Sequence, residues 1–511
     1  MTHQSRSHSL TLNSDDNVAV AIIDLSPGQS LETGNTIVGE NIPAGHKVAT
    51  ANISAGDPII KYGQIIGFAI SNIGSGDHVH SHNCSMKDFD RDYAFGMNIP
   101  NTKMILPSDR LTFEGFRRPN GKVGTRNYIG VLTSVNCSAS VARFIAESVE
   151  KSGILNDYPG VDGILPIVHG TGCGMANDGE GYDNLSRVLW GYAGHPNLAG
   201  ALMVGLGCEV FQIPQFMEQN GLTMSDTFQV MTIQGSGGTR KTVERGVAMI
   251  QEMLPSVAAT KRQTIDASEI TLALQCGGSD GYSGISANPA LGHAVDMLVA
   301  QGGTAILAET PEIYGAEHLL TRRAATREIG EKLIERIHWW EKYAKQMGGE
   351  IDNNPSPGNK AGGLTTILEK SLGATAKAGT TALNGVYLYG EQVTAKGFVF
   401  MDSPGYDPAS VTGQVASGAN IICFTTGRGS VFGYKPAPSI KLATNTQMYD
   451  RMSEDMDINC GTIVDGEASV EEMGQEILDY VLTIASGAPT KSEALGFGGS
   501  EFVPWQIGAV M

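Results

Sequence analysis

Four short apolar runs in this chain each read as a buried β-strand and end at a cysteine. They are YIGVLTSVN-Cys137, GILPIVHGTG-Cys173, ALMVGLG-Cys208 and ITLALQ-Cys276. Strands that are apolar on both faces occur in parallel sheets covered by helices on each side. The intervals between the cysteines are 36, 35 and 68 residues. Two of these fit one strand–helix unit each, and the third fits two, with FQVMTIQ-Gly235 as the strand end that lacks the thiol. This rhythm predicts one mostly parallel sheet that delivers four thiols to one edge. In open α/β sheets that edge, outside the carboxyl ends of the strands, is where ligands bind.

Helical patterns alternate with the apolar runs from Phe113 onward. The segments 138–153, 242–254, 290–301 and 470–485 repeat apolar residues at helical spacing. Further strands are expected at 303–309, 397–403, 420–426 and 439–444, with a Pro/Gly/Asn-rich loop at 353–363 suited to holding a ligand. Residues 15–84 differ. An apolar residue, two small residues and a glycine recur at Leu25–Gly28, Ile42–Gly45, Ile53–Gly56 and Ile73–Gly76, the signature of short strands joined by tight turns. The expected order is therefore a small all-β domain (1–84), a linker (85–112), a first α/β domain (113–265) and a second (266–511). A chain of 511 residues is too long for a single core.

The net charge of −18 argues against nucleic acid or an anionic membrane as partner. A small anion held by a few local cations remains compatible with it. The first twenty residues lack a signal-peptide apolar stretch, and no apolar run has the roughly 18 residues of a membrane helix. A cytoplasmic enzyme is expected, and large enzymes of this kind commonly form homo-oligomers. In such a compartment seven cysteines without a CxxC pair are free thiols or ligands.

Several constellations bear on chemistry. In GDHVHSHN a strand would turn His78, His80 and His82 to one face, a plausible open metal site. A solvated strand edge is the plainer alternative. Cys137, Cys173, Cys208 and Cys276 are candidate thiolate ligands, whereas Cys423, Cys84 and Cys460 read as structural. His169, in a glycine-rich turn past a strand, is a candidate general base. Asp280 and Tyr282, in QCGGSDGYSG, are candidate acids. Arg126, Lys360 and Arg428 are cations in Gly-rich loops, placed to grip a carboxylate. The run from Gln234 to Lys241 lacks the spacing of a nucleotide-binding loop.

These stretches together resemble the altronate/galactarate dehydratase family along nearly the whole chain. GHKVA, IIKYGQIIGFA and GDHVHSHN are similar to its SAF-type β-clip domain. SVNCSA, HGTGCG, GLGCE, QCGGSDGYSGISANPALG, NPSPGNKAGG, FTTGRGS and MDINCGTI are similar to its body. The resemblance implies dehydration of a sugar acid to a 2-keto-3-deoxy acid with Fe2+, or with Mn2+ as an alternative ion. The His-x-His-x-His run resembles the altronate branch more than the galactarate branch. Sulfolactate sulfo-lyases resemble the same sequence split into two chains. The expected site has iron on His78, His80 and His82, with an iron–sulfur cluster on the cysteines as the alternative. Arg126, Lys360 and Arg428 would bind substrate, His169 would act as base, and Asp280 or Tyr282 as acid.

Overall fold

The glycines of the amino-terminal repeat occupy left-handed turns. At Gly76 (φ 94°) a β-carbon would also overlap the Ile37 carbonyl oxygen, so only glycine fits. The computed structural model describes residues 7–32, 36–87, 89, 91 and 93–510. In it the repeat builds two small antiparallel sheets. One orders Ser9–Leu10, Val18–Ala21, Lys47–Ala49 and His78–Val79, and the other Pro58–Lys61, Gln64–Ala69 and Cys84–Ser85. The apolar residues that flank the turns, among them Leu25, Ile42, Ile53 and Ile73, are buried inside the module.

The polar segment that follows lies strapped along the carboxy-terminal half. Arg91 and Tyr93 both reach Glu317, at 3.5 and 2.7 Å. The Gly96 and Asn98 amides donate to the Thr321 and Arg322 carbonyls.

The body contains two parallel sheets with helices around them, the two-part α/β architecture expected. The first sheet orders Gly163–Ile167, Tyr128–Thr133, Leu198–Gly205 and Phe228–Thr232. Helices Ala139–Lys151 and Thr239–Ala259 cover one face through Val141, Ile145, Ile250 and Leu254. The second sheet has seven strands in the order Leu383–Tyr387, Gly397–Met401, Thr304–Leu307, Thr271–Cys276, Ile421–Thr426, Ser439–Ala443 and Ile458–Asn459. The two sheets share one core. Leu132 and Met203 of the first lead through Leu189 and Tyr192 to Val411 and Val415, then to Ile422 and Phe424 of the second. No described helix is long and apolar enough to cross a membrane.

One expectation fails here. The four strand-end cysteines do not share a sheet. Cys137, Cys173 and Cys208 follow three adjacent strands of the first sheet, whereas Cys276 ends a strand of the second. The Phe228–Thr232 strand and its helix occupy the long interval, as its length implies. After them, however, the chain leaves the sheet through Gln263–Asp266, which pairs antiparallel with Thr112–Arg117 before the second sheet begins. That exit strand is four residues long and leaves no trace in the spacing.

Candidate active site

The second sheet reverses its strand order at Thr271–Cys276, which lies between Thr304–Leu307 and Ile421–Thr426. The β-module docks against the loops beyond that carboxyl edge. Lys47 and Lys61 of the module each place Nζ 2.9 Å from Glu369, in the first turn of helix Ile367–Thr375, and all three side chains are buried. Lys47 also donates to the Gly363 carbonyl at 2.6 Å. Burial alone would raise the Glu369 carboxyl. The two ammonium groups outweigh it and hold this carboxyl well below the usual carboxylate range. The Tyr282 hydroxyl donates to the Ala21 and Ile22 carbonyls, both at 3.1 Å, and closes a second seam.

Four histidines gather at this junction. The sequence pattern sets His78, His80 and His82 along one strand face, but the strand ends at Val79 and the chain turns through 81–83. The turn still brings the rings together. His78 lies 5.4 Å from both His80 and His82, centroid to centroid, and His82 remains exposed. The fourth member is His46, from the strand-edge turn at Gly45, with its ring 4.8 Å from His80 and its Nδ1 2.9 Å from His78 Nε2. Its partners stand far away in sequence, so no local pattern marks it.

The loop 354–363 orients the rings. His80 Nε2 lies 2.8 Å from the Lys360 carbonyl and His46 Nε2 3.4 Å from that of Ala361. With Nε2–H assigned to those carbonyls, His46 Nδ1 accepts from His78 Nε2–H at 2.9 Å and His80 Nδ1 accepts from the Ser81 hydroxyl at 3.0 Å, so a metal ion would have to displace these two donors. A backbone carbonyl behind an imidazole is the usual orienting partner of a metal-binding histidine. Burial, followed by the neighbouring imidazoles, holds His78 down to about 3, and burial with His80 beside it holds His46 down to about 4. His80 is lowered as well, chiefly by burial. Neutral imidazoles are the form that binds a metal ion. In donor type His46, His78 and His80 suit a divalent ion, although their ring nitrogens do not all lie within 4.8 Å of one another.

Beside the cluster opens a cleft of about 210 Å³, bordered by Ala44, Asp280, Gly362, Arg428, Asn445 and Arg451. Asp280 is 4% exposed, and its carboxylate accepts from Ser283, Thr444, Asn445 and the Tyr282 amide. Burial raises its pKa against the pull of those donors. Gly427 and Gly362 permit the close packing, since a β-carbon at Gly427 would overlap the Asp280 carboxyl. Arg428 is exposed and Lys360 half-buried. Neither side chain is paired with an acidic group among the described residues. Asp280 and Arg428, from separate loops of the sequence, thus border one cleft, and the Ala361–Gly362 edge of that cleft belongs to the loop whose Lys360 and Ala361 carbonyls hold His80 and His46; Lys360 and the histidines themselves do not line it.

Other predicted residues lie elsewhere. His169 is buried, with Nε2 2.8 Å from the Thr133 carbonyl and Nδ1 accepting from the Thr171 amide at 3.3 Å. Burial holds it down to about 4. Both nitrogens are committed to pinning its own loop, so it is not a free base. A general base is worth about 10²–10⁴-fold in rate. Accordingly, His169→Gln is expected to exchange the substrate C2 proton with deuterated water at a rate well within that factor of wild type, measured by NMR.

Arg126 is also structural. All five of its N–H groups are used, by Glu493 in bidentate fashion at 2.8 Å and by the Thr125, Ile484 and Ala488 carbonyls. It ties the helix Val470–Ala485 and its following turn to the first α/β domain, so no donor is left for substrate. Arg126→Ala removes the partner of a mostly covered Glu493 and unpairs three carbonyls, and is expected to destabilise the protein by about 3 kcal/mol. The Michaelis constant of the surviving fold should stay unchanged. Arg126→Lys should fail to restore the melting temperature, because an ammonium cannot reproduce the fork. Tyr282 is likewise occupied, by the two module carbonyls.

Cys276 belongs to a buried network that no local pattern reveals. Its Sγ is 3.3 Å from Glu312 and 3.8 Å from Glu309. Lys370 stands 2.6 Å from Glu312, and Lys377 stands 3.6 Å from Glu309. These three are the one trio of potential metal donors among the described residues whose ligand atoms all lie within 4.8 Å of one another. The two lysines already supply the positive charge that an ion would bring. Burial pushes the Cys276 thiol far up, out of thiolate chemistry.

Three family models cover the chain. Residues 7–87 match the altronate/galactarate dehydratase SAF domain. Residues 115–258 match the second domain of D-galactarate dehydratase/altronate hydrolase, and residues 267–510 the C-terminal domain of D-galactarate/altronate dehydratase. Among curated proteins, the altronate dehydratase of Bacillus subtilis is 35% identical over 96% of this chain and 97% of its own length. The galactarate dehydratase (L-threo-forming) of Escherichia coli is 36% identical over 94% of this chain and 92% of its own. The (2R)-sulfolactate sulfo-lyase subunit beta of Chromohalobacter salexigens is 31% identical over 75% of this chain and 95% of its own. With its β-module, both sheets and the cleft beside the histidine wall all inside these matches, the chain belongs to the D-galactarate/altronate dehydratase family of sugar-acid hydro-lyases and is a carbon–oxygen lyase.

Proposed function

We propose that the cleft dehydrates D-altronate to 2-dehydro-3-deoxy-D-gluconate with Fe2+, or Mn2+ in its place, held by His46, His78 and His80. The observation that carries this reading is the junction itself. Asp280 and Arg428 border the small cleft, and the loop that forms its Ala361–Gly362 edge carries Lys360 and backs the neutral imidazoles of His80 and His46.

The C2 proton of a hydroxy acid is weakly acidic, and its removal needs the substrate carboxylate neutralised. Lys360 and Arg428 supply that charge, Arg428 with a planar fork suited to a carboxylate. The ion, when bound, adds Lewis-acid polarisation of substrate oxygens. A neutral imidazole of the histidine wall can take the C2 proton. Asp280, its pKa raised by burial, can hold a proton for the departing 3-hydroxyl. The enol then tautomerises to the ketone unaided.

A second reading has its own support. Arg451 borders the same cleft as Arg428 and could meet a second carboxylate, which favours galactarate. Incubating the iron-loaded protein with altronate, galactarate and sulfolactate and identifying the products decides between them. Altronate is expected to give 2-dehydro-3-deoxygluconate fastest. Preferential turnover of galactarate would establish the second reading, and release of sulfite from sulfolactate would move the chain to the sulfo-lyases.

A further inference from the structure

We propose that Cys137, Cys173 and Cys208 hold an iron–sulfur cluster at the carboxyl edge of the first sheet, separate from the histidine wall. Of the seven cysteines, these three are exposed and the other four are buried. Cysteine is among the residues most often found inside, so three exposed thiols on one sheet edge call for a reason. They follow the central strand Tyr128–Thr133 and its two neighbours, which is where this sheet reverses its strand order. Ligands bind at such points in open parallel sheets.

The loops carrying the thiols are tied to one another. The Asn136 amide donates to the Thr171 carbonyl at 2.9 Å, and the Phe211 amide to the Gly172 carbonyl at 3.1 Å. The Ser134 hydroxyl donates to Glu209 at 2.6 Å, joining the Cys137 and Cys208 turns. His169 pins the Cys173 loop to the strand before Cys137 through the Thr133 carbonyl. Gly172 and Gly207 adopt left-handed φ values of 98° and 125°. A β-carbon at Gly172 would overlap the Ser134 carbonyl, so the approach of these loops requires glycine there. Backbone in such conformations forms amide-lined concavities of the kind that hold iron–sulfur sites. The Gln234 side-chain amide, from the end of the fourth strand, donates toward Cys208 Sγ at 3.5 Å.

The spacing is wider than a single tetrahedral ion takes and leaves room for a cluster. A tetrahedral zinc with sulfur at about 2.3 Å needs its thiolates within about 4 Å of one another. These three sulfurs do not all lie within 4.8 Å. In a cubane each thiolate binds a different iron, so the sulfurs stand further apart. Three protein thiolates leave the fourth iron open to an oxygen ligand, and Cys276, in the other sheet, cannot close it.

The protein should be purified without oxygen from iron-supplied cells and assayed for metal and acid-labile sulfide. We expect about four irons and four sulfides per chain in the cluster, with visible absorption that bleaches on reduction. Cys173→Ala and Cys208→Ala should abolish the sulfide while far-ultraviolet circular dichroism stays unchanged. His80→Ala, which touches only the other centre, should keep it. In the wild-type chain, iodoacetamide should spare the three thiols until a chelator removes the iron, a readout that needs no variant to fold. Absence of sulfide, sulfide that persists in both cysteine variants, or a lone zinc in its place overturns the proposal. None of these outcomes depends on which sugar acid the cleft takes.

Discussion

Replacing His80 by alanine is expected to lower kcat/KM for the sugar acid by more than about 100-fold and to reduce iron affinity at the histidine wall. Even the partners behind a metal ligand are worth about 10–100-fold in affinity or activity, and His80 stands in front of its partner, the Lys360 carbonyl. His46→Ala should behave alike, although no local pattern in the sequence singles His46 out. His82→Ala is the informative contrast. Among the described residues its ring packs against His78, and it is exposed, so the loss should stay under about tenfold, well short of what a ligand costs. Activity is measured with altronate at saturating Fe2+. Iron affinity is read by titrating apo-protein whose thiols are alkylated, which isolates the histidine centre. Full activity and unchanged affinity in His80→Ala would remove this wall from the reaction. Equal losses in His80→Ala and His82→Ala would instead restore the three-histidine set read from the sequence.

Features carried by local pattern are legible in the sequence alone. The helix read at 470–485 is Val470–Ala485, and the strand read at 420–426 is Ile421–Thr426. Amphipathic spacing and β-branched runs specify such elements almost unaided. Asp280 and Arg428 border one cleft for a related reason: each sits in a Gly-rich loop past a strand, and such loops meet at a switch point, whereas Lys360 stands in the short helix Pro357–Ala361 and does not line that cleft. What fails depends on contacts distant in sequence. Arg126 looks like a loop cation because Glu493, which occupies it, is 367 residues away. His169 looks like a free base because its partner is a backbone carbonyl, which sequence does not display. His46 escapes notice because its neighbours are His78, 32 residues on, and Ala361, 315 residues on. The rhythm puts Cys276 in the wrong sheet because a chain can change sheets without changing its rhythm.

Glu369→Ala should produce the largest loss of stability of any single substitution at the junction. It leaves Lys47 and Lys61 buried with no carboxylate between them, and stranding a buried charge costs about 3–5 kcal/mol. The position at the start of a helix adds to the loss, because the helix dipole favours an anion there. The expected result is an early thermal transition in which the β-module separates from the body, visible as protease cleavage near the 85–112 segment. Activity should vanish with it, since His46, His78 and His80 leave the loop 354–363 together. The pH dependence carries a definite sign. The folded Glu369 carboxyl is held below its unfolded value, so its contribution is complete above about pH 4.3, the ordinary glutamate pKa. It drains away as the pH falls below that value toward the depressed folded one. Wild-type melting temperature should therefore drop as the medium is acidified below about pH 5, and Glu369→Gln should show a flatter profile in the same window. Replacing the triad together, by Lys47→Met, Lys61→Met and Glu369→Leu, should recover much of the stability, because burying apolar groups of similar volume removes the desolvation cost. Equal acid sensitivity in wild type and Glu369→Gln would show that the module is held by the Tyr282 seam and apolar contacts, with the buried charges contributing little.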